Sequence, residues 1–371
     1  MDKKYADMEQ TNVDKKKQSE FGGTAQPKPM EANVRGRKLA NLTELQNEVK
    51  KYIIGQDKAI DRITLAIYRS IKIPTIKTNI LIIGKSGSGK TETMKQVAKA
   101  LNLPYTIEDA TKYTKEGYYG LNVEEAVYNL FYNAEEDIEK AERGMIIIDE
   151  IDKKINNGYE GDISGTDVLN SFLKLIEGTK VMVPLPPDLA EVGGPPEWID
   201  TSKMVVVFMG AFVGLEEECK KRLGKHQIGF GAEQNGSNSK KQEMRFTKDD
   251  LIAYGLPTEF AGRIDTIVQF ETLTQESLAK IARESKLSIF KKYENFLAEN
   301  GITLEYNDSI FDEIAKQAIS KNTGARELSN VANEIFEPIL SKVFTAEPGQ
   351  YKKCILKEDF VKNPETAYVL E

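Results

Sequence analysis

The sequence predicts an α/β fold with a mostly parallel sheet, followed by a second, smaller domain that is mainly helical. Three observations carry this prediction. Continuous apolar runs recur at Ile80-Leu81-Ile82-Ile83, Met145-Ile146-Ile147-Ile148 and Met204–Met209. Runs that do not alternate fit strands covered on both faces. Helix-like stretches separate them, notably 122–143, whose acidic residues lie largely on one side. Strands alternating with helices imply a parallel sheet. Beyond about Val268, apolar residues fall at helix spacing over 275–299, 308–321 and 326–343.

Taken in order, residues 1–40 hold only Val13, Val34 and Leu39 as branched aliphatics, among Lys15-Lys16-Lys17 and Gln26-Pro27-Lys28-Pro29. Such a segment buries too little apolar surface to offset its ordering entropy, so it reads as a disordered tail. Leu45, Val49, Ile53 and Ile54, then Ile60, Ile63, Leu65, Ala66 and Tyr68, read as two amphipathic helices with a turn at Ile54-Gly55. The α/β domain then spans 41–268 and the helical one 269–371. The Gly/Asn/Ser/Lys-rich stretch 231–242 reads as a loop.

Composition excludes several functions. A net charge of −7 over 371 residues argues against a chain that coats nucleic acid. No apolar run approaches the ~20 residues needed to cross a bilayer. The N-terminus, MDKKYADMEQ, has no secretion signal, so the expected setting is the cytoplasm, with no membrane partner. Two cysteines, Cys219 and Cys354, cannot make a four-cysteine zinc site, and no zinc is expected. The one histidine, His226, leaves no room for an HExxH metalloprotease. A Ser-His-Asp or Cys-His hydrolase would have to use that same residue. Intrinsic peptidase activity is therefore not expected.

The chemistry is concentrated in Gly84-Lys85-Ser86-Gly87-Ser88-Gly89-Lys90-Thr91, which matches GxxxxGK[ST]. It follows the first apolar strand and opens a helix, the context that motif requires. Glycines let backbone N–H groups close around phosphate oxygens, and the helix N-terminus adds partial positive charge. Ser86 and Ser88 belong to the same cradle. Lys90 would reach the terminal phosphates, and Thr91 would offer its hydroxyl to magnesium. Asp149-Glu150 ends the second apolar strand, 59 residues after Lys90. Alone, such a pair is most often a solvated strand end. Beside a phosphate loop, one carboxylate can hold magnesium and the next can polarise the attacking water. The expected substrate is ATP and the expected metal Mg2+.

Further motifs follow in a fixed order: Tyr52-Ile53-Ile54-Gly55-Gln56, the phosphate loop, Asp109-Ala110-Thr111 and Glu116-Gly117-Tyr118-Tyr119-Gly120. Then come Ile148 to Lys153, Leu173 to Thr179, Gly210-Ala211-Phe212 and Ile228-Gly229-Phe230-Gly231. Glu259-Phe260-Ala261-Gly262-Arg263 and Thr323-Gly324-Ala325-Arg326 complete the series. With this ordered set, from about Leu45 to about Ala346, the chain resembles ClpX, the AAA+ ring unfoldase that feeds a separate peptidase.

The resemblance implies an AAA+ large domain, a homo-hexamer, a ClpP-type peptidase partner and unfolded or tagged protein substrates. It makes Arg263 an arginine finger reaching a neighbour's γ-phosphate and Arg326 a sensor from the second domain. Ile53 and Ile54 would flank adenine. Tyr118 and Tyr119 match the pore loop, where an aromatic between glycines is a bulky paddle on a movable backbone. Asp162–Asp167 would occupy the place of a second pore loop, and Ile228-Gly229-Phe230 would dock on the peptidase.

The chain also departs from the family pattern. The tail holds no cysteine for the family's zinc domain. In place of its basic entrance loop, 183–200 holds Asp188, Glu191, Glu197 and Asp200 and no Lys, Arg or His. Such a rim favours basic or neutral substrates. Phe208-Met209-Gly210 lacks the polar side chain that many AAA+ proteins place there, a departure from that wider class rather than from ClpX, which is itself apolar or small at this point. Two alternatives stay open: a remodelling ATPase without a peptidase, and an AAA+ nucleic-acid motor or loader. The second would place basic residues where Tyr118, Tyr119, Asp162 and Asp167 stand.

Overall fold

The computed structural model describes residues 33–34, 37–38, 41–113, 122–155, 163–183, 197–225, 244–321 and 324–371. Inside the segment read as a tail, β1 (Asn33–Val34) and β2 (Arg37–Lys38) pair antiparallel. Helix α1 (Leu42–Lys50) is capped by the Asn41 side chain, which accepts from the Glu44 amide at 3.0 Å. Helix α2 (Asp57–Lys72) buries Ile60, Ile63, Ile67 and Ile71 along one face. The chain turns between them at Gly55, whose φ of 81° suits glycine.

Next come β3 (Thr78–Ile83), α3 (Lys90–Leu101) and β4 (Tyr105–Asp109). They are followed by α4 (Val123–Asn133), α5 (Ile138–Glu142), β5 (Met145–Asp149) and α6 (Ile163–Glu177). Strands β6 (Lys180–Val183) and β7 (Glu197–Asp200) pair antiparallel. Then follow β8 (Val205–Gly210), α7 (Leu215–Lys225), α8 (Lys248–Tyr254), α9 (Thr258–Gly262) and β9 (Thr266–Gln269).

The stretch 122–143 is thus two helices rather than one. Glu135 and Glu136 take φ values of 61° and 60°, and the Asp137 carboxylate caps α5 by accepting from the Lys140 amide at 3.0 Å. A short carboxylate that can bond the backbone favours such a restart over a helix interior.

The main sheet runs in the order β4-β5-β8-β3-β9, with every pairing parallel. Its three central strands are the three apolar runs. The outer strands carry no continuous run: β4 alternates half-buried and buried positions and includes Glu108 and Asp109, and β9 is four residues long. Leu81 and Ile83, Ile146 and Ile148, and Val206 and Phe208 share one face of the sheet and one core. There an aromatic series joins helices to sheet, with centroid separations of 5.2 Å for Tyr113–Phe172, 5.8 Å for Phe172–Phe208 and 4.9 Å for Phe208–Phe260.

The C-terminal part comprises α10 (Gln275–Glu284), α11 (Ile289–Glu299), β10 (Thr303–Glu305), α12 (Ser309–Ser320) and α13 (Ala325–Thr345). Strands β11 (Lys353–Leu356) and β12 (Tyr368–Leu370) follow and join β10 in a small sheet that apolar periodicity did not predict. The stretch 275–299 also divides. Ser285 ends α10, with its hydroxyl donating to the Tyr52 carbonyl at 2.7 Å, and Ser288 caps α11. Phe290 centres this second core, 4.9 Å from Phe311 and 5.1 Å from Phe336. Among the described residues, no helix is long and apolar enough to cross a membrane.

Candidate active site

The loop Gly84–Gly89 leaves the C-terminal end of β3, where open parallel sheets bind ligands. A Cβ on Gly84 would lie 2.6 Å from Phe270 Cβ, so the strand end closes on Phe270 only with glycine there. The Gly84 carbonyl accepts from Lys90 Nζ at 2.6 Å, and the Lys85 carbonyl accepts at 3.1 Å. Burial pushes the Lys90 ammonium below the ordinary lysine range. Asp149, Asp152 and Glu150 oppose that shift, and Arg326 adds to it.

Thr91 Oγ1 donates to Asp149 Oδ2 at 2.9 Å, joining the first turn of α3 to the end of β5. The other Asp149 oxygen accepts the Glu150 amide at 2.9 Å. Glu150 holds φ 58°, a left-handed conformation costly for a non-glycine residue. It turns the chain sharply at the strand end and leaves the carboxylate exposed. Asp152, in the 3-10 turn that follows, accepts the Phe212 amide at 3.2 Å.

A cavity of about 670 Å³ opens beside the loop. Ser86 to Thr91, Asp149 and Glu150 form its polar side, and Ile53, Ile54, Leu273, Ile281, Arg326 and Leu328 contribute to the rest. That volume suits a drug-sized or nucleotide-sized ligand. Gln56, 3% exposed, braces the floor. Its amide nitrogen donates to the carbonyls of Ser88 at 3.2 Å and Glu271 at 2.9 Å, and its oxygen accepts the Glu271 amide at 3.0 Å.

The residues fit a magnesium nucleotide on two observations. Ser88 Oγ is buried with no hydrogen-bond partner among the described residues, and Lys90 is a buried cation bonded to carbonyls rather than to an anion. A hydroxyl and a carboxylate joined as Thr91 and Asp149 are form the hard-oxygen set that magnesium prefers.

Arg263 lies elsewhere. It follows α9 and does not line the cavity. Its Nη2 is 2.7 Å from Glu177 Oε1, with the two side chains 51% and 39% exposed. Asn79 on β3 fixes the backbone beneath this pair. Its amide nitrogen donates to the carbonyls of Ile176 at 3.2 Å and Arg263 at 3.1 Å.

Residues 76–267 match the family model described as "AAA domain (Cdc48 subfamily)", and 273–353 match "C-terminal, D2-small domain, of ClpB protein". The chain is 35% identical over 346 residues to "ATP-dependent Clp protease ATP-binding subunit ClpX 2" of Wolinella succinogenes, covering 90% of this chain and 85% of that one. It is 35% identical over 352 residues to "ATP-dependent Clp protease ATP-binding subunit ClpX" of Borrelia duttonii, and equally so to that of Borrelia recurrentis, covering 90% of this chain and 81% of each. The chain belongs to the ClpX family.

As a ClpX-family member it is an AAA+ ATPase. Of the candidate residues, the structure gathers Ile53, Ile54, Ser86, Gly87, Ser88, Gly89, Lys90, Thr91, Asp149, Glu150 and Arg326 around one cavity. Gly84 sits behind it and Arg263 outside it. Tyr118, Tyr119, Ile228, Gly229 and Phe230 lie outside the described residues, as do Asp162 and the acidic stretch 184–196. The described remainder of the second pore-loop candidate, Ile163–Asp167, opens α6. Asn79, Gln56, Glu177 and Asp152 acquire structural roles that the sequence did not assign. Gln56 follows the Gly55 turn, a local cue. Asn79 carries none, because its partners come from distant parts of the chain.

Proposed function

We propose that this ATPase works as a homo-hexameric ring that unfolds proteins and delivers them to a ClpP-type peptidase. Ile53 and Ile54 flank the adenine, and the Gly84–Gly89 backbone with Lys90 and Arg326 receives the phosphates. Magnesium, held by Thr91 and Asp149, would neutralise phosphate charge. Glu150 takes a proton from the attacking water as the γ-phosphoryl group departs from ADP. Arg263 acts in the neighbouring subunit, where a fixed cation stabilises charge in the transition state. Tyr118 and Tyr119 grip the polypeptide, and Ile228-Gly229-Phe230 docks on the peptidase.

The assembly rests on one observation. Arg263 lies on the surface, away from the cavity its fellow motifs line, so a site that uses it needs a second copy of the chain. The coupling to proteolysis is supported by relatives whose names describe the ATP-binding subunit of a Clp protease.

The test is to mix two inactive variants, Glu150→Gln and Arg263→Ala. In mixed rings, an intact Glu150 from one parent meets an intact Arg263 from the other, and hydrolysis returns. Absence of recovery in a confirmed mixed assembly overturns the shared site.

A further inference from the structure

The C-terminal part meets the rest of the chain on two sides of the cavity. On one, Ser285 bonds the Tyr52 carbonyl, and the Gln56 amide bridges Ser88 and Glu271. On the other, the start of α13 touches the phosphate loop itself. The Ala325 amide donates to the Gly87 carbonyl at 3.0 Å. This amide belongs to the first turn of α13, where no intrahelical acceptor exists.

Gly324 makes the approach feasible, for two separate reasons. A Cβ there would lie 2.8 Å from Gly87 O, 3.0 Å from its carbonyl carbon and 3.2 Å from its Cα. All three are backbone atoms, so no rotamer change relieves the clash. Gly324 also holds φ 64° and ψ −144°, close to a region that is essentially glycine-only. Two residues later comes Arg326, which lines the same cavity as Lys90 and acts electrostatically on it.

We infer that Gly324 is a positioning residue: with the Ala325 amide it ties the phosphate loop to the start of α13, so that seating of Arg326 and the shape of the loop form one equilibrium. The inference rests on the reading of the loop and Arg326 as nucleotide contacts. With its carbonyl turned to α13, Gly87 passes any change in the loop directly to that helix. Nucleotide occupancy and the attachment of the C-terminal part are thereby linked through backbone atoms, independently of the Gln56 and Tyr52 contacts.

The test is a double-mutant cycle in the full chain, read as the dissociation constant of a fluorescent ATP analogue with magnesium and as the thermal midpoint. Gly324→Ala is expected to weaken binding about tenfold. Arg326→Ala also weakens it, and the double variant is no worse than about twofold beyond the stronger single, because both losses pass through Arg326. Ala325→Pro breaks the same contact by another route: it removes the donor and sets its ring Cδ against the Gly87 carbonyl, at a helix position whose backbone suits proline, and should weaken binding about three- to tenfold. It carries the test if Gly324→Ala fails to fold. Gly301→Ala is the control, a left-handed glycine in the same part of the chain with open space around it. It lowers the midpoint and leaves the affinity unchanged.

If Arg326→Ala binds nucleotide normally, the underlying reading of the site falls. If Arg326→Ala is defective while Gly324→Ala and Ala325→Pro are silent, or if their losses simply add to it, the site reading stands and the inference is overturned.

Discussion

In the phosphate loop, Lys90 rests on two carbonyls of its own loop and Thr91 is bonded to Asp149. At the Arg263 corner, the backbone is clamped by Asn79 while the side chain stays half exposed and, among the described residues, pairs with Glu177. On the proposed ring, the difference separates two tasks. A group that acts within its own chain can be buried and wired, whereas one that acts on another copy needs a fixed root and a replaceable partner. Exposed ion pairs are worth little, ~0–1 kcal/mol, so Glu177 can surrender Arg263 readily.

The comparison breaks most directly on hydrolysis. Glu150→Gln and Arg263→Ala should each lower turnover on the order of 10³-fold, measured by phosphate release. Both should retain nucleotide affinity within about threefold, since in the proposed mechanism neither side chain carries ground-state binding. A large loss of affinity in Arg263→Ala would place the arginine in its own chain's cavity and remove the distinction between the two regions.

A smaller effect tests how Arg263 is anchored. Asn79→Leu leaves the carbonyls of Ile176 and Arg263 without their donor and should cost about 2–3 kcal/mol in denaturant unfolding. An unchanged midpoint would show that the aromatic series through Phe208 and Phe260 holds this corner without Asn79.

The buried lysine gives a pH signature. Phosphate anions favour protonated Lys90, whose pKa in the free chain is lowered by burial from 10.5. Binding therefore takes up a proton once pH passes that lowered value, and affinity falls as pH rises, starting below 10.5. The decline should be absent in Lys90→Arg, whose guanidinium stays charged throughout. The same titration of Arg263→Ala should match the unaltered chain.

The smallest change is expected from Glu177→Gln. Freeing Arg263 should alter turnover by about two- to fivefold and stability by less than about 1 kcal/mol. A tenfold or larger loss of turnover would make Glu177 part of the catalytic arrangement rather than a resting partner.

The central sheet was legible because strands buried on both faces must be continuously apolar, and β3, β5 and β8 are. The edge strands β4 and β9 escaped because one flank of each has no strand neighbour among the described residues, which relaxes that demand. Likewise the break at Glu135–Glu136 and the restart at Ser285–Ser288 depend on single side chains that cap, which apolar periodicity does not register. The phosphate loop was readable because its chemistry lies in a local run of glycines before a helix. Asn79 was not, since an asparagine inside a strand acquires meaning only from what lies across from it.

Sequence alone therefore determined the α/β class, the phosphate loop, the acidic pair and the family, since each is written in contiguous residues whose backbone demands are local. Tertiary structure decided which motifs share a cavity. It set Arg263 apart from that cavity and brought Gly324 against Gly87, because such meetings depend on how helices and strands pack, and no local spacing encodes the distance between them.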